Sequence, residues 1–207
     1  MEPADALKAG LARLHLSAEE GQVAGLLRLL ALIGKWNKVY NLTAIKDPRE
    51  MLTHHLLDSL AVLPYLHGRR IIDVGTGAGL PGIPLAIMSP QREFVLLDSN
   101  NKKTRFVTQA VIELGLKNVT VQNLRVEEYR PGAPFDTVVS RAFASLAEMV
   151  QWTQALRAPQ GVFLAMKGQL SAEELAALPA GFKIKEIAAL QVPGLEAERH
   201  AIIIAAE

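Results

Sequence analysis

At roughly 150 residues per domain, a chain of 207 residues makes between one and two domains. Half of it is hydrophobic and 21% charged, which suits a packed core, while 22 basic against 21 acidic side chains leave a formal charge of +1 and exclude a histone-like polybasic binder. The absence of cysteine excludes a disulfide framework, a cysteine-ligated metal and a thiol nucleophile.

The start, Met1-Glu2-Pro3-Ala4-Asp5, is acidic where a secretory leader would be basic, and the longest apolar stretch (residues 23–34) is broken by Arg28 and too short for a bilayer. A cytoplasmic protein with no membrane partner is the expectation. From residue 5 to about 66 the apolar spacing is helical. Ser17-Ala18-Glu19-Glu20 fits a capping box, followed by Val23, Leu26, Leu27, Leu30 and Ile33 on one face. Pro48 should open another helix carrying Met51, Leu52, His55, Leu56, Ser59 and Leu60, ended by Pro64.

From Arg69 the period changes. Short β-rich runs at residues 71–74, 94–97, 119–122, 136–140, 162–166, 182–190 and 201–205 alternate, over the first five, with helix candidates at 81–88, 102–114, 126–129 and 145–156. Strand–helix alternation predicts a parallel sheet with helices on both faces. Only a short loop through Val192-Pro193-Gly194 separates the last two runs, which favours an antiparallel ending. The chain thus reads as α/β: a seven-stranded, mostly parallel sheet domain over residues 67–207, preceded by a helical extension over residues 1–66.

The most informative stretch is Asp73-Val74-Gly75-Thr76-Gly77-Ala78-Gly79-Leu80-Pro81-Gly82, where a buried strand runs through alternating glycines into a helix. Glycines allow a sharp turn and close approach to a ligand, and the helix start offers amides to an anion. A nucleotide or nucleoside site competes here with a plain tight turn. Gly77 to Gly82 also matches the dinucleotide spacing, but Asp73 stands where a dehydrogenase strand carries an apolar residue. A carboxylate there suits the ammonium of S-adenosylmethionine. Asp98, ending the second strand run, can accept ribose hydroxyls of either cofactor, or cap the next helix. Val126, after the third run, is a candidate neighbour of adenine or part of a solvated helix start. Arg141 and Lys167 end the fourth and fifth runs at the edge where open α/β sheets bind ligands, unless they are plain surface charges. Trp36 and Tyr40 share a helix face near Lys35 and Lys38, and could stack an exposed base or pack in a core. His55 and Asp58, three apart, could form an acid–base pair or a structural hydrogen bond.

At these residues the chain resembles the class I S-adenosylmethionine-dependent methyltransferases, with their Rossmann-like sheet. More narrowly it resembles the glucose-inhibited division protein B family, which methylates guanine N7 in 16S ribosomal RNA. The resemblance rests on Lys35-Trp36-Asn37-Lys38-Val39-Tyr40-Asn41-Leu42-Thr43, His55-Leu56-Leu57-Asp58-Ser59, Asp73 through Gly82, and Leu96-Leu97-Asp98-Ser99. It continues in Arg125-Val126-Glu127-Glu128, Ser140-Arg141-Ala142-Phe143-Ala144, Lys167-Gly168 and Glu198-Arg199-His200. It implies contacts to the methionine part of S-adenosyl-L-methionine at Gly75 and Leu80, adenine at Val126 and Glu127, and Arg141 at the edge of the cofactor site, with Asp98 at the ribose position of the wider superfamily. Asp73, Gly77 and Gly79 are cofactor contacts on the reading of the turn itself. The implied partner is 16S ribosomal RNA in the small subunit or a late assembly intermediate, with no metal.

Pyrimidine C5 methylation normally uses a cysteine, absent here, and amine methylation an Asn/Asp-Pro-Pro-aromatic run where this chain has Ser140-Arg141-Ala142-Phe143. Guanine N7 presents a lone pair and needs no general base, so positioning and electrostatics suffice. Arg141 is the first choice for orienting the base, since N7 and O6 suit a guanidinium fork. Lys167 and Arg199 are candidate phosphate contacts, beside a basic cluster of Lys102, Lys103 and Arg105. An NAD-dependent oxidoreductase and a non-enzymatic RNA-binding module are the rival readings.

Overall fold

The computed structural model describes residues 2–207. Helix α1 (Pro3–Arg13) leads to the long α2 (Glu20–Tyr40), whose entry differs from the expected box at Ser17. The amide of Glu19 donates to Gln22 Oε1 at 2.9 Å, so Glu19 is the cap and the helix starts later. The buried stripe is Val23, Leu26, Leu29, Leu32 and Ile33; Leu27 and Leu30, expected inside, lie half-buried at its margin. Asn41 ends α2 in the left-handed region (φ 50°), where asparagine is tolerated. The Asn37 side chain then pins the exit, bonding Thr43 N and Thr43 O at 2.9 Å each.

Pro48 does open a helix, α3 (Pro48–Met51), capped by Asp47 Oδ1 accepting from Arg49 N at 2.7 Å. It does not continue as a plain α-helix. Leu52–Leu57 forms a π-helical turn before the short α4 (Asp58–Leu60), and Pro64 lies in a separate 3₁₀ turn, Leu63–Tyr65. The wider turn shifts the phase of every residue after it.

The strands are β1 (Arg70–Val74), β2 (Glu93–Leu97), β3 (Val119–Gln122), β4 (Phe135–Ser140), β5 (Arg157–Lys167), β6 (Phe182–Ala189) and β7 (His200–Ala206). Interleaved are α5 (Gly82–Met88), α6 (Asn101–Glu113), α7 (Leu146–Thr153) and α8 (Ala172–Ala176). Residues 126–129 close as a turn, not a helix: Glu128 N donates to Arg125 O, Tyr129 N donates to Val126 O, and Pro131 and Gly132 follow too soon for a second turn. Helix α8 was not anticipated, although Ser171 caps it by accepting from Glu174 N at 3.1 Å.

The sheet order is β3-β2-β1-β4-β5-β7-β6, parallel throughout except for β7, which runs antiparallel between β5 and β6. The order reverses between β1 and β4, so their carboxyl ends flank a crevice. Adjacent β1 residues serve opposite faces. Ile71 joins a core with Leu7, Leu26, Leu29, Ile33, Leu56 and Leu60 of the front, while Ile72 packs with Val138, Leu146, Val150 and Phe163. The sequence boundary at 66/67 therefore separates two segments that share one core. Six buried aliphatic side chains at about 1.5–3 kcal/mol each give the front on the order of 10 kcal/mol of burial against the sheet.

The chain enters β1 under tight control from β4. Asp136 Oδ2 accepts from Arg69 N (2.7 Å) and Arg70 N (2.8 Å), and Thr137 Oγ1 bonds both His67 O and His67 N. Burial pushes the Asp136 pKa up, but the two amides outweigh it and hold it below the ordinary 3.8. Asp136→Ala should cost about 1–3 kcal/mol at pH 7 in urea unfolding. A depressed carboxylate stabilises above its unfolded pKa and loses that contribution as pH falls through the folded value, so the difference from wild type should shrink below about pH 4. A gap that persists at pH 3 would assign the loss to packing instead.

Candidate active site

Four loops meet where the sheet order reverses. The one after β1 is organised by Asp73, which is fully buried. Its Oδ2 accepts from Thr76 Oγ1 (2.7 Å) and Gly82 N (2.9 Å), so the first amide of α5 is taken by this carboxylate. A pyrophosphate would have to compete with that anion for the same helix start, which argues against the dinucleotide reading of the Gly77–Gly82 spacing. Asp73 Oδ1 has no partner among the described residues. Burial raises the Asp73 pKa to about 6; the Thr76 and Gly82 bonds and the nearby Arg141 charge pull it back.

Gly75, Gly77 and Gly79 all have positive φ (73°, 60° and 78°). A Cβ on Gly75 would lie 2.5 Å from the Ala142 Cβ, so the turn presses directly on the loop after β4. A Cβ on Gly77 would have only Gly75 O within 4 Å, which leaves space at the crevice for a ligand. Ser140 Oγ locks the two loops together, donating to Val74 O at 2.7 Å and accepting from Ala142 N at 3.1 Å. Leu80 is buried beneath the turn.

Asp98 follows β2 and faces the same turn, accepting from Gly77 N at Oδ2 and from Asn100 N at Oδ1, both at 2.8 Å. Asp98 thus orders the entry to α6, as the cap reading expects, and it also lines the crevice. Each oxygen keeps a lone pair for a further donor. Asp98, Gly75, Val126 and Glu127 line one cleft of about 200 Å³, closed on its far side by Phe143 and Trp152. Trp152, on α7, is 47% exposed and was missed by sequence reasoning; a tryptophan in an otherwise core-forming helix face was the only signal. An unpartnered buried carboxylate oxygen, open space beside Gly77 and an apolar cleft next to Asp98 together fit S-adenosylmethionine, with its ammonium, its ribose and its adenine.

The expected pairing of His55 with Asp58 is not made. His55 is buried with neither ring nitrogen partnered, and burial, then the Arg141 charge, lower its pKa to about 4. It is neutral at pH 7. Asp58 instead takes Arg199 Nε at Oδ1 (3.0 Å) and Arg141 Nη1 at Oδ2 (3.4 Å). Arg141 and Arg199 are thereby brought together at the crevice. Lys167 is drawn away from the expected phosphate role: its ammonium lies 2.8 Å from Glu174 Oε1 and donates to Ala144 O at 2.7 Å. Trp36 and Tyr40 stack at 5.1 Å, with Phe106 edge-on to Trp36 at 5.7 Å, so this pair fills the seam between α2 and α6. Lys102 and Arg105 are exposed, and Lys103 half-buried, on the first turns of α6, one loop beyond Asp98. Among the described residues no cluster of histidine and carboxylate side chains could hold a metal ion, and no helix is long and apolar enough to cross a membrane.

Comparison with known proteins bears on the fold and on the family. A solved S-adenosylmethionine-dependent methyltransferase from Aquifex aeolicus superposes with a TM-score of 0.56 over 83% of this chain and 97% of that one, at 18% identity. Another from Thiobacillus denitrificans, in complex with S-adenosyl-L-homocysteine, has a TM-score of 0.54 over 73% of this chain and 91% of its own, at 13% identity. At those identities the likeness shows the fold. The ribosomal RNA small subunit methyltransferase G of Shewanella amazonensis is 53% identical over 95% of this chain and 96% of its own. The model of the family described as rRNA small subunit methyltransferase G matches residues 22–203. With a glycine turn held by Asp73 and Asp98 at the strand-order reversal, and a family match over nearly its whole length, this chain belongs to the rRNA small subunit methyltransferase G family.

Proposed function

We propose that this enzyme transfers the methyl group of S-adenosyl-L-methionine to N7 of a guanine in 16S ribosomal RNA, acting in the cytoplasm on the small subunit or a late assembly intermediate. The observation that carries the reading is the pairing of two carboxylates, Asp73 and Asp98, around one glycine turn, with Arg141 at the same crevice. When bound, S-adenosylmethionine supplies a methyl carbon on a sulfonium, which the N7 lone pair attacks in line as the C–S bond breaks toward sulfur. The chain's own groups then need only position and stabilise. Asp73 Oδ1 is suited to an ammonium, Asp98 to two ribose hydroxyls, and Val126, Glu127 and Trp152 to an adenine ring. Arg141 can donate to O6, beside N7, and so orient the base while leaving the N7 lone pair free to attack. No proton leaves N7 before attack, so no general base is needed, and His55 is buried with neither ring nitrogen partnered.

Asp98→Ala should weaken S-adenosylmethionine binding about 100-fold or more by calorimetry. Two bonds to a charged acceptor are lost at roughly 1.5–3 kcal/mol each, and the Gly77 amide loses its anchor. Unchanged affinity would remove Asp98 from the site. Gly77→Val should also abolish tight binding, since φ 60° strains a β-branched residue by about 1–3 kcal/mol and its methyls would fill the open crevice.

The form of the RNA follows from charge. A-form helices bury guanine N7 in a deep, narrow groove, so the target must be met in a loop, bulge or opened pair. A net charge of +1 cannot hold a short oligonucleotide tightly, and recognition must draw on the shape of a folded particle. Undermethylated small subunits should be modified far more efficiently than a short isolated hairpin, with activity falling as salt rises. Equal kcat/KM on particle, deproteinised RNA and hairpin would defeat shape recognition.

A further inference from the structure

We propose that Asp58 is a positioning residue of the methyltransferase site: one buried carboxylate on the helical front that holds Arg141 and Arg199 together at the carboxyl edge of the sheet. This rests on the reading of Arg141 as the group that orients the base. Three remote parts of the chain meet here. Asp58 follows the π-helical turn Leu52–Leu57, Arg141 follows β4, and Arg199 immediately precedes β7. Asp58 is 5% exposed, and both its oxygens are engaged by the two guanidinium groups, at 3.4 and 3.0 Å. Neither arginine makes an ion pair with any other carboxylate among the described residues.

One buried carboxylate restrains two guanidinium groups whose side chains stay 31% and 27% exposed. The arrangement holds both cations while leaving them open to an anionic substrate. Restraint matters because a free arginine surrenders several rotors on meeting a base or phosphate, whereas one held by a carboxylate has surrendered them already. The front does not need this contact for attachment, since Leu7, Leu26, Leu29, Leu56 and Leu60 already anchor it in the shared core. The π-helical turn has a role in the same device: its extra residue sets the phase at which Asp58 reaches the arginines.

The test uses full-length protein on undermethylated small subunits. Asp58→Ala should lower kcat about ten-fold or more, and Asp58→Asn, which preserves shape and one acceptor oxygen, should lie between it and wild type. In an Arg141→Ala/Arg199→Ala background, Asp58→Asn should change kcat less than about two-fold, since a residue acting through the arginines has nothing left to position. The Arg199 Nε–H signal in NMR spectra of the RNA-free protein, slowly exchanging in wild type, should broaden or exchange rapidly in Asp58→Asn. Equal losses from Asp58→Asn with and without the arginines would overturn the proposal. So would normal kcat and KM in Asp58→Asn accompanied only by a lower Tm, with wild type active beside it. Wild-type protein inert toward every form of ribosomal RNA would overturn the functional reading itself, and this role with it.

Discussion

A carboxylate with no access to water sits at the centre of this protein. Burying Asp73 is unfavourable enough to raise its pKa to about 6, and the surroundings offset part of that with two hydrogen bonds and the field of Arg141. Those bonds dictate the local backbone. Oδ2 can reach both Thr76 Oγ1 and Gly82 N only if residues 75–79 fold back tightly over the strand end, and that fold requires positive φ at three glycines. The start of α5, the placement of Gly77 against Asp98 and the pressure of Gly75 on Ala142 all follow. The cleft is thus a consequence of how one anion is satisfied inside the fold.

The carboxyl edge repeats this device. Asp73 orders the turn after β1, Asp98 the entry to α6, and Asp58 the arginines after β4 and before β7. Backbone amides and guanidinium groups converge on carboxylates because strand ends and helix starts leave unpaired donors at the same edge. At Asp73 one oxygen is left without a partner, and at Asp58 one carboxylate holds two part-exposed guanidinium groups. With a formal charge of only +1, any positive field this chain offers is local rather than global.

The helical front belongs to this picture rather than standing beside it. Its aliphatic stripe shares the core under α5 and α6, and the Trp36-Asn37…Tyr40-Asn41 block, distinctive in sequence, turns out to be architectural. Asn37 and Asn41 end α2, and the aromatic pair fills its seam with α6. The front also brings Asp58 to Arg141 and Arg199, a pairing that its immediate sequence, with His55 three residues before it, does not indicate.

Amino-acid order alone determined the strand runs, because β-branched and aliphatic clusters between glycine and proline breaks have few other uses, and it determined the antiparallel ending, because the last loop is short. It also determined the glycine turn and the places of Asp73 and Asp98, since each lies within its own strand–turn–helix unit, where spacing in sequence is spacing in space. Tertiary structure decided what depends on distant partners. The path after Met51 took a π-helical turn that no propensity marks. Lys167 went to Glu174, and Trp152 came to the cleft from a helix face that reads as core. Asp58 chose Arg141 and Arg199, 83 and 141 residues away, over His55 three residues away. A local motif carries its own geometry, whereas the pairing of charges across a sheet edge is settled only when packing brings the loops together.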